Sequence, residues 1–364
     1  MRPTWAEVDL GAVAHNVGLL VERAAPAAVC AVVKADGYGH GAVPVARAAL
    51  DGGATWLAVA LVEEAAVLRA DGIDAPMLLL SEARPDEMAD VAALDLRATV
   101  YTATGVAAAA AVGAPLRLHL KVDTGMHRVG AAPEDAVALA QSIVGEPDLE
   151  LEAVWTHCAV ADEPEHPFTA EQLARFDDVL AALRVSGIEV PLTHAANSAG
   201  AIAHPAARRS LVRTGIAVYG IDPSRELAGA LPLRPALRLR SEVSLVKRVA
   251  AGEGISYGLH HTFDRPATVA TVPIGYADGV RRRLGLLGQE VLIGGRRRPM
   301  VGVVTMDQLM VDCGEDHVEP GDEVVLLGRQ GLEEITVAEW AIHLDTIGYE
   351  ITCGLGPRVP RLYP

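Results

Sequence analysis

The stretch "VVKADGYGHG", residues 32–41, is the part of the sequence from which the fold can be worked out. It continues the apolar run 29–33, which is typical of a short buried strand. Lys34 therefore stands where that strand ends, and its amine emerges at the rim of a sheet. A cation is costly at such a position unless it has a use. Glycines 37, 39 and 41 allow the backbone after the lysine to turn tightly.

Seven further apolar runs alternate with alanine-rich amphipathic segments as far as about residue 220. These runs are 56–60, 77–80, 97–100, 116–122, 151–156, 191–194 and 211–214. Eight strand and helix pairs predict an α/β fold, an N-terminal (β/α)8 TIM-type barrel with parallel strands. A doubly wound sheet is the alternative, because runs such as 97–100 are weak.

The pattern changes after residue 231, where close-spaced Val, Thr and Gly replace helical periodicity. The runs "SEVSLVKRV", "ATVATVPIGYADG" and "DEVVLLG" are typical of a mostly-β domain with hairpin turns. The first stretch, "PTWAEVDL", alternates like a strand and could pair with this domain. We therefore expect a barrel domain at 10–231 and a C-terminal β-domain at 232–364 that includes 1–9.

Composition and charge indicate which binding partners and which cellular compartment fit this chain. The net charge is −16, with 31 basic and 47 acidic side chains, so the chain would repel nucleic acid and anionic membranes. Its 4 cysteines have neither disulfide-framework nor metal-ligand spacing, which fits a reducing cytoplasm and no metal. Glu7 and Asp9 stand where a secretory signal would need an apolar core, and the alanine-rich stretch 105–116 is too short to span a membrane.

In a barrel, the active site is built from the loops at the C-terminal ends of the strands. The candidate residues there are Lys34 and Tyr38 after the first strand, Lys121 and Arg128 after the fifth, and His157 after the sixth. His194 and Ser198 follow the seventh strand, and Arg213, Gly215 and Ile216 follow the eighth. All of them are expected at one end of one barrel.

Ser198 and the Gly215–Ile216 amides are candidates for a phosphate site, because the loops after strands seven and eight often hold a phosphate in barrels. A lysine opposite a phosphate site suggests pyridoxal phosphate bound as a Schiff base. Taken alone, Lys34 reads as a rim salt bridge and Ser198 as a helix cap. Their expected position at one barrel end favours the functional interpretation.

The motifs resemble those of the alanine racemases, which are fold-type III pyridoxal phosphate enzymes. In order they are "VVKADGYGHG", "KVDTGMHRVG", "HAANSAG", "VRTGIAVYG", "GISYG", "PIGYADG", "TMDQ" and "TIGYEI", and the resemblance covers essentially the whole chain. Thr305 stands where many relatives have cysteine, and His127 where glycine is frequent. Neither change removes a group that the chemistry needs.

The resemblance implies a role for each candidate residue. It implies Lys34 as the Schiff-base lysine and Arg213 as the partner of the pyridine nitrogen. It implies Arg128 near the cofactor hydroxyl and the substrate carboxylate, with Lys121 as a carbamate that bridges to Arg128. The phosphate ligands would be Tyr38, Ser198, Gly215, Ile216 and Tyr349.

The second domain would supply the remaining groups. The resemblance implies Tyr257 as the second base, delivered with Met306 by a partner subunit, so that a homodimer shares its active sites. Supporting residues would be Tyr276 and Asp307 in this domain and His157 and His194 in the barrel.

Inverting the α carbon of an amino acid requires two bases on opposite faces of a planar carbanion. Lys34 can serve one face, and Tyr257 the other if it is ionised. A phenol ordinarily has a pKa of about 10, so a phenolate base needs a neighbouring cation, for which His157 and Arg213 could form a relay of positive charge. Arg213 can donate to the pyridine nitrogen but cannot protonate it, which would suppress transamination.

The expected function is therefore the interconversion of L-alanine and D-alanine, which supplies D-alanine for peptidoglycan. Three alternatives stay open: a racemase of broader specificity, a fold-type III decarboxylase, and a pyridoxal phosphate carrier without turnover. Arg213 argues against the decarboxylase, which usually pairs a glutamate with the pyridine nitrogen. The second domain argues against the carrier, because the carriers are single barrels.

Overall fold

The computed structural model describes residues 2–364, which form two compact units. The barrel unit consists of Gly11–Gly37 and Gly41–Arg234, and the C-terminal unit of residues 2–10, Tyr38–His40 and Pro235–Pro364. Strand β1 (Thr4–Val8) thus belongs to the C-terminal unit. None of the helices in residues 2–364 combines the length and the apolarity that crossing a membrane demands.

Eight parallel strands close into the barrel in chain order, with the last strand paired to the first. They are β2 (Ala28–Val32), β3 (Trp56–Val59), β4 (Met77–Leu79), β5 (Leu96–Val100), β6 (Leu116–Lys121), β7 (Leu149–Trp155), β8 (Leu192–His194) and β9 (Leu211–Thr214). The predicted (β/α)8 barrel is therefore confirmed, and the doubly wound sheet is not formed.

Helices alternate with the strands of the barrel unit, and the longer ones bury an apolar face. They are α1 (Leu10–Ala24), α2 (Lys34–Gly39), α3 (Ala42–Asp51), α4 (Val62–Ala70), α5 (Met88–Ala93), α6 (Ala103–Ala110), α7 (Ala136–Val144), α8 (Phe168–Val185) and α9 (Ser198–Ala203). Helix α7 is an example: its buried residues Ala136, Leu139, Ala140 and Ile143 follow the spacing of one helical face.

The C-terminal unit consists mostly of strands. After β1 come β10 (Leu237–Glu242), β11 (Leu245–Val249), β12 (Gly254–Ile255), β13 (His261–Thr262), β14 (Ala267–Val272), β15 (Glu290–Ile293), β16 (Arg296–Pro299), β17 (Leu309–Asp312), β18 (Glu323–Gln330), β19 (Glu333–Ile335) and β20 (Arg361–Leu362), with helices α10 (Val337–Leu344) and α11 (Gly348–Cys353). Strand β1 pairs antiparallel with β10, as its alternation suggests. The core is aliphatic and includes the fully buried Trp340.

Candidate active site

Lys34 begins a strained backbone turn directly after β2. Residues 35–39 all have positive φ angles, between 51° and 80°, so helix α2 is left-handed. Three of them are not glycine, and each such residue costs about 1–2 kcal/mol in this conformation. Strain of this kind persists only where the surroundings impose it, and it is concentrated at functional sites.

Three hydrogen bonds hold the turn in place within the barrel unit. The amide of Gly37 donates to the carbonyl of Val33 at 2.9 Å, and the amide of Ala42 donates to Asp36 Oδ1 at 2.8 Å. The amide of Ala35, next to the lysine, donates to the Glu64 carboxylate at 2.6 Å. The position at which Lys34 leaves the strand is therefore closely determined.

Ser198 and the backbone after β9 form a polar corner. Ser198 Oγ accepts hydrogen bonds from the amides of Gly215 at 2.9 Å and Ala217 at 3.5 Å. Because the hydroxyl accepts both, it keeps its own hydrogen to donate to a ligand. Ile216 begins a 3-10 turn directly after Gly215. The Ser198 hydroxyl hydrogen and the Ile216 amide are donors that suit phosphate oxygens.

Arg213 is 3% exposed on β9. Its Nη1 donates to His194 Nδ1 at 2.6 Å, and its Nη2 faces the carbonyls of Thr156 and Ala195 at 2.9 and 3.0 Å. Within residues 2–364, the structure gives Nε no acceptor. Burial lowers the pKa of Arg213 to about 10, so the guanidinium is charged at neutral pH. Its Nε–H is thus a fixed, charged donor for a ligand atom.

Lys121 lies in a cluster of cations. Burial, followed by the charges of Arg213 and Arg128, lowers its pKa from 10.5 to about 7, and Lys34 acts in the same direction. The Nζ of Lys121 and the guanidinium of Arg213 each lie 4.4 Å from the centre of the Trp155 ring. Four cations that influence one another, relieved by Asp123, favour an anionic ligand.

His157 is a neutral member of this cluster. Burial and the charge of Arg213 lower its pKa well below 6.5. Arg213 Nη2 also lies 3.1 Å from His157 Nδ1, and a guanidinium can only donate, so the ring hydrogen of His157 is on Nε2. The sequence predicted a positive charge shared between His157 and Arg213, and this prediction is wrong. Because His157 is buried beside Arg213, it is neutral, and of these two residues only Arg213 is charged.

In the C-terminal unit, Tyr257 is 73% exposed at the start of a 3-10 turn. The preceding Ser256 has a φ of 64°, and its hydroxyl donates to the carbonyl of Val303 at 2.8 Å. The side chain of Tyr257 borders a cavity of about 660 Å³ that Leu245, Ile255, Thr305 and Met310 also line. The phenol is therefore presented outward from a fixed turn.

The segment around Met306 is held by backbone contacts. The amides of Tyr276 and Ala277 donate to the carbonyls of Thr305 and Met306 at 2.9 and 3.1 Å. A Cβ at Gly275 would stand 2.3 Å from the Thr305 carbonyl oxygen, so only glycine allows this approach. The structure thus brings Tyr276 and Met306 together.

Asp307, Tyr38 and Tyr349 also belong to the C-terminal unit. Asp307 Oδ1 accepts a hydrogen bond from Arg358 at 2.7 Å. The rings of Tyr38 and Tyr349 have centroids 5.9 Å apart. Burial raises the pKa of Tyr38, and Tyr349 and Cys353 add to this effect, so its phenol stays protonated.

Sequence reasoning did not identify Trp155, His119 or Glu152 as members of the site. Trp155 contacts two cations, and the other two residues continue the contacts of His194. The signal for His119 was available in "LRLHLK", where polar residues at alternate positions 117, 119 and 121 share one face of a strand.

The donors of the barrel unit fit pyridoxal phosphate. An amine is present for the aldehyde, the Ser198 hydroxyl and the Ile216 amide for the phosphate, and the charged Nε–H of Arg213 for the ring nitrogen. The fold and this site define the class, a barrel protein with a C-terminal β unit that uses pyridoxal phosphate.

Comparison with known proteins identifies the family. Residues 8–223 match the family described as "Alanine racemase, N-terminal domain", and residues 236–363 match "Alanine racemase, C-terminal domain". The chain therefore belongs to the alanine racemase family.

Full-length relatives and solved structures agree with this assignment. The chain is 50% identical to an alanine racemase of Symbiobacterium thermophilum, over 100% of this chain and 97% of the relative. It is 42% identical to one of Desulfovibrio desulfuricans, over 100% and 98%. The crystal structure of alanine racemase from E. faecalis has a TM-score of 0.95 at 42% identity, with 100% and 98% covered. That from Bacillus anthracis with bound L-Ala-P has a TM-score of 0.94 at 42% identity, with 100% and 95% covered.

Proposed function

We propose that the protein interconverts L-alanine and D-alanine with pyridoxal phosphate and supplies D-alanine for peptidoglycan. The observation that carries this proposal is the buried Arg213, a charged donor with Nε–H available, among cations that include Lys34. Family membership supports the substrate. In this proposal, residues 10–231 bind the cofactor, and residues 232–364 with 1–9 supply Tyr257.

The proposed cofactor ligands follow from the donors described above. Lys34 binds the aldehyde, the Ser198 hydroxyl and the Ile216 amide bind the phosphate, and Arg213 donates to the ring nitrogen. Family resemblance also implies Gly215 at the phosphate, although its amide donates to Ser198 Oγ in this structure. Family resemblance adds Tyr38 and Tyr349 as phosphate ligands. When bound, pyridoxal phosphate supplies a conjugated ring that accepts the electron pair left on the α carbon.

Two bases of this chain move the proton. Lys34 removes or returns it on one face of the α carbon, and Tyr257 of a partner subunit acts on the other face. Met306 lies beside the substrate, supported by Tyr276 and Asp307. The exposure of Tyr257 supports a role across a dimer interface, so we propose a homodimer with shared sites.

Arg213 influences which carbon receives the returning proton. A guanidinium donates a hydrogen bond but keeps its proton. Arg213 therefore limits electron withdrawal by the bound ring, and the proton returns to the substrate α carbon. The same feature argues against the decarboxylase alternative.

In this proposal Arg128 binds the substrate carboxylate, and Lys121 supports Arg128. With a pKa of about 7, a large fraction of Lys121 is a neutral amine at physiological pH. A neutral amine adds to carbon dioxide with loss of one proton and becomes an anionic carbamate. That anion would pair with Arg128 and relieve the repulsion among the cations.

We place the reaction in the cytoplasm, because the cysteines are free thiols, with Cys30, Cys158 and Cys313 buried and Cys353 exposed. The net charge of −16 supports a small-molecule substrate rather than nucleic acid or a membrane surface.

The test is incubation of the cofactor-loaded protein with L-alanine in deuterated water. Product chirality and deuterium at the α carbon are both followed. D-alanine that carries deuterium is expected. L-alanine recovered unchanged and without exchange would contradict the proposal, and other amino acids would then test the broad-specificity alternative.

A further inference from the structure

Strand β7 contains an extra residue opposite β6. Leu118 pairs with Leu151, but the next residue, His119, pairs with Ala153, so Glu152 has no partner in the ladder. Such bulges are rare between parallel strands and commonly re-aim a side chain near a functional site. Here the bulge places Glu152 Oε2 at 2.8 Å from His119 Nε2.

A continuous row of side chains leads from this carboxylate to Arg213. His119 Nδ1 lies 3.0 Å from His194 Nε2, and His194 Nδ1 lies 2.6 Å from Arg213 Nη1. Both histidine rings are completely buried. The interior of such a barrel is usually filled by branched aliphatic side chains, so a buried polar row needs a reason.

The direction of every hydrogen bond in the row is determined by its ends. Arg213 can only donate, so His194 accepts at Nδ1 and carries its hydrogen on Nε2. His194 then donates to His119 Nδ1, which leaves the hydrogen of His119 on Nε2. That hydrogen is donated to the carboxylate of Glu152. Both histidines are neutral in this order, and burial lowers the pKa of each.

Two arginines lie close to the carboxylate of Glu152. Arg97 Nε lies 3.6 Å and Arg117 Nε 4.0 Å from its oxygens. Two other acidic groups lie at this end: Asp95 pairs with both arginines, and Glu150 pairs with Arg117.

We propose that Glu152, His119 and His194 are positioning residues that hold the guanidinium of Arg213 through this ordered row. These three residues act on the bound cofactor only through Arg213, so their effect on catalysis rests on the proposed function. The order of the hydrogen bonds in the row does not depend on the proposed function.

The first test measures that order in the cofactor-loaded full chain. Nitrogen-15 spectra of protein labelled at the histidine rings report which ring nitrogen carries hydrogen, and His119→Gln and His194→Gln assign the two signals. At pH 7 both residues are expected as neutral Nε2–H tautomers. An Nδ1–H tautomer or a doubly protonated ring at either position would overturn the proposal.

The second test separates positioning from folding. Glu152→Leu leaves a buried His119 donor without an acceptor, and we expect kcat to fall by about tenfold with KM for alanine within about twofold. Glu152→Gln keeps an acceptor oxygen and is expected to stay within about threefold of the parent. Unchanged kcat in Glu152→Leu, or a loss confined to KM, would contradict the proposal.

Glu150 provides a matched control, because it lies on the same strand and contacts Arg117 but not His119. Glu150→Leu and Glu150→Gln are expected to keep the kcat of the parent, and an equal loss in them would show a general charge effect. If Glu152→Leu does not fold, the nitrogen-15 measurement on the parent still decides. A parent without racemase activity would contradict the proposed function and leave the spectroscopic test intact.

Discussion

At the scale of single residues, the site is defined by the protonation states that burial imposes. Arg213 stays charged, His157 and His194 stay neutral, and Lys121 has a pKa of about 7. These states give the barrel unit fixed donors and one titrating amine.

Changing Tyr257 to Phe removes one of the two proposed bases. We expect racemisation to fall by about 10²–10⁴-fold, which is the usual contribution of a positioned acid or base. Exchange of the α hydrogen of one alanine enantiomer should persist without inversion, because Lys34 still acts on its face. The measurement is deuterium incorporation into each enantiomer. Retained racemisation would place the second base elsewhere.

Lys121 should take up carbon dioxide in a pH-dependent way. Its pKa of about 7 is far below 10.5, so the folded protein loses the proton as pH rises through 7. The neutral fraction rises from about a tenth at pH 6 to about nine-tenths at pH 8. Carbon-13 spectra with labelled bicarbonate should therefore show a carbamate signal that grows over this range and is absent in Lys121→Met. No signal at pH 8, or one that survives the substitution, would contradict the prediction.

At the scale of elements, the sequence predicts the strands better than the turns and irregularities that shape the site. The predicted run 29–33 corresponds to Ala28–Val32, and 151–156 to Leu149–Trp155. Residues at or just after the C-terminal ends of strands, such as Lys34 and Arg213, follow from the topology of a barrel. The bulge at Glu152 does not, because pairing register has no local sequence signal. Nor does the left-handed turn at Ala35 and Asp36, which depends on contacts from α4.

Glu64 is expected to stabilise that turn. Its carboxylate accepts the amide of Ala35 and also those of Ala60 and Leu61. Glu64→Ala would leave these donors without their acceptor, and we expect the free energy of unfolding to fall by about 1–3 kcal/mol. Urea denaturation measures the change. Glu63→Ala, one residue earlier on the same helix, should change stability by less than about 0.5 kcal/mol; equal effects in both variants would argue against a specific role of Glu64.

At the scale of the whole molecule, the proposal takes the two bases of each site from two copies of the chain. Lys34 belongs to the barrel unit, and Tyr257 stands exposed on the C-terminal unit, beside a cavity of about 660 Å³. If each site takes Lys34 from one subunit and Tyr257 from the other, every dimer has two sites related by symmetry. A dimer of mixed variants can then restore one of them.

Mixing Lys34→Ala with Tyr257→Phe protein tests this arrangement. Each variant alone is expected to be inactive, because each lacks one base at both sites. After random subunit exchange about half of the dimers are mixed, and each contains one intact site of two, so activity should recover to about a quarter of the parent. Sedimentation of differently labelled subunits confirms that exchange has occurred, and the double variant mixed with itself is the control. Complete exchange without recovery would place both bases on one chain, and a fully active monomer would have the same meaning.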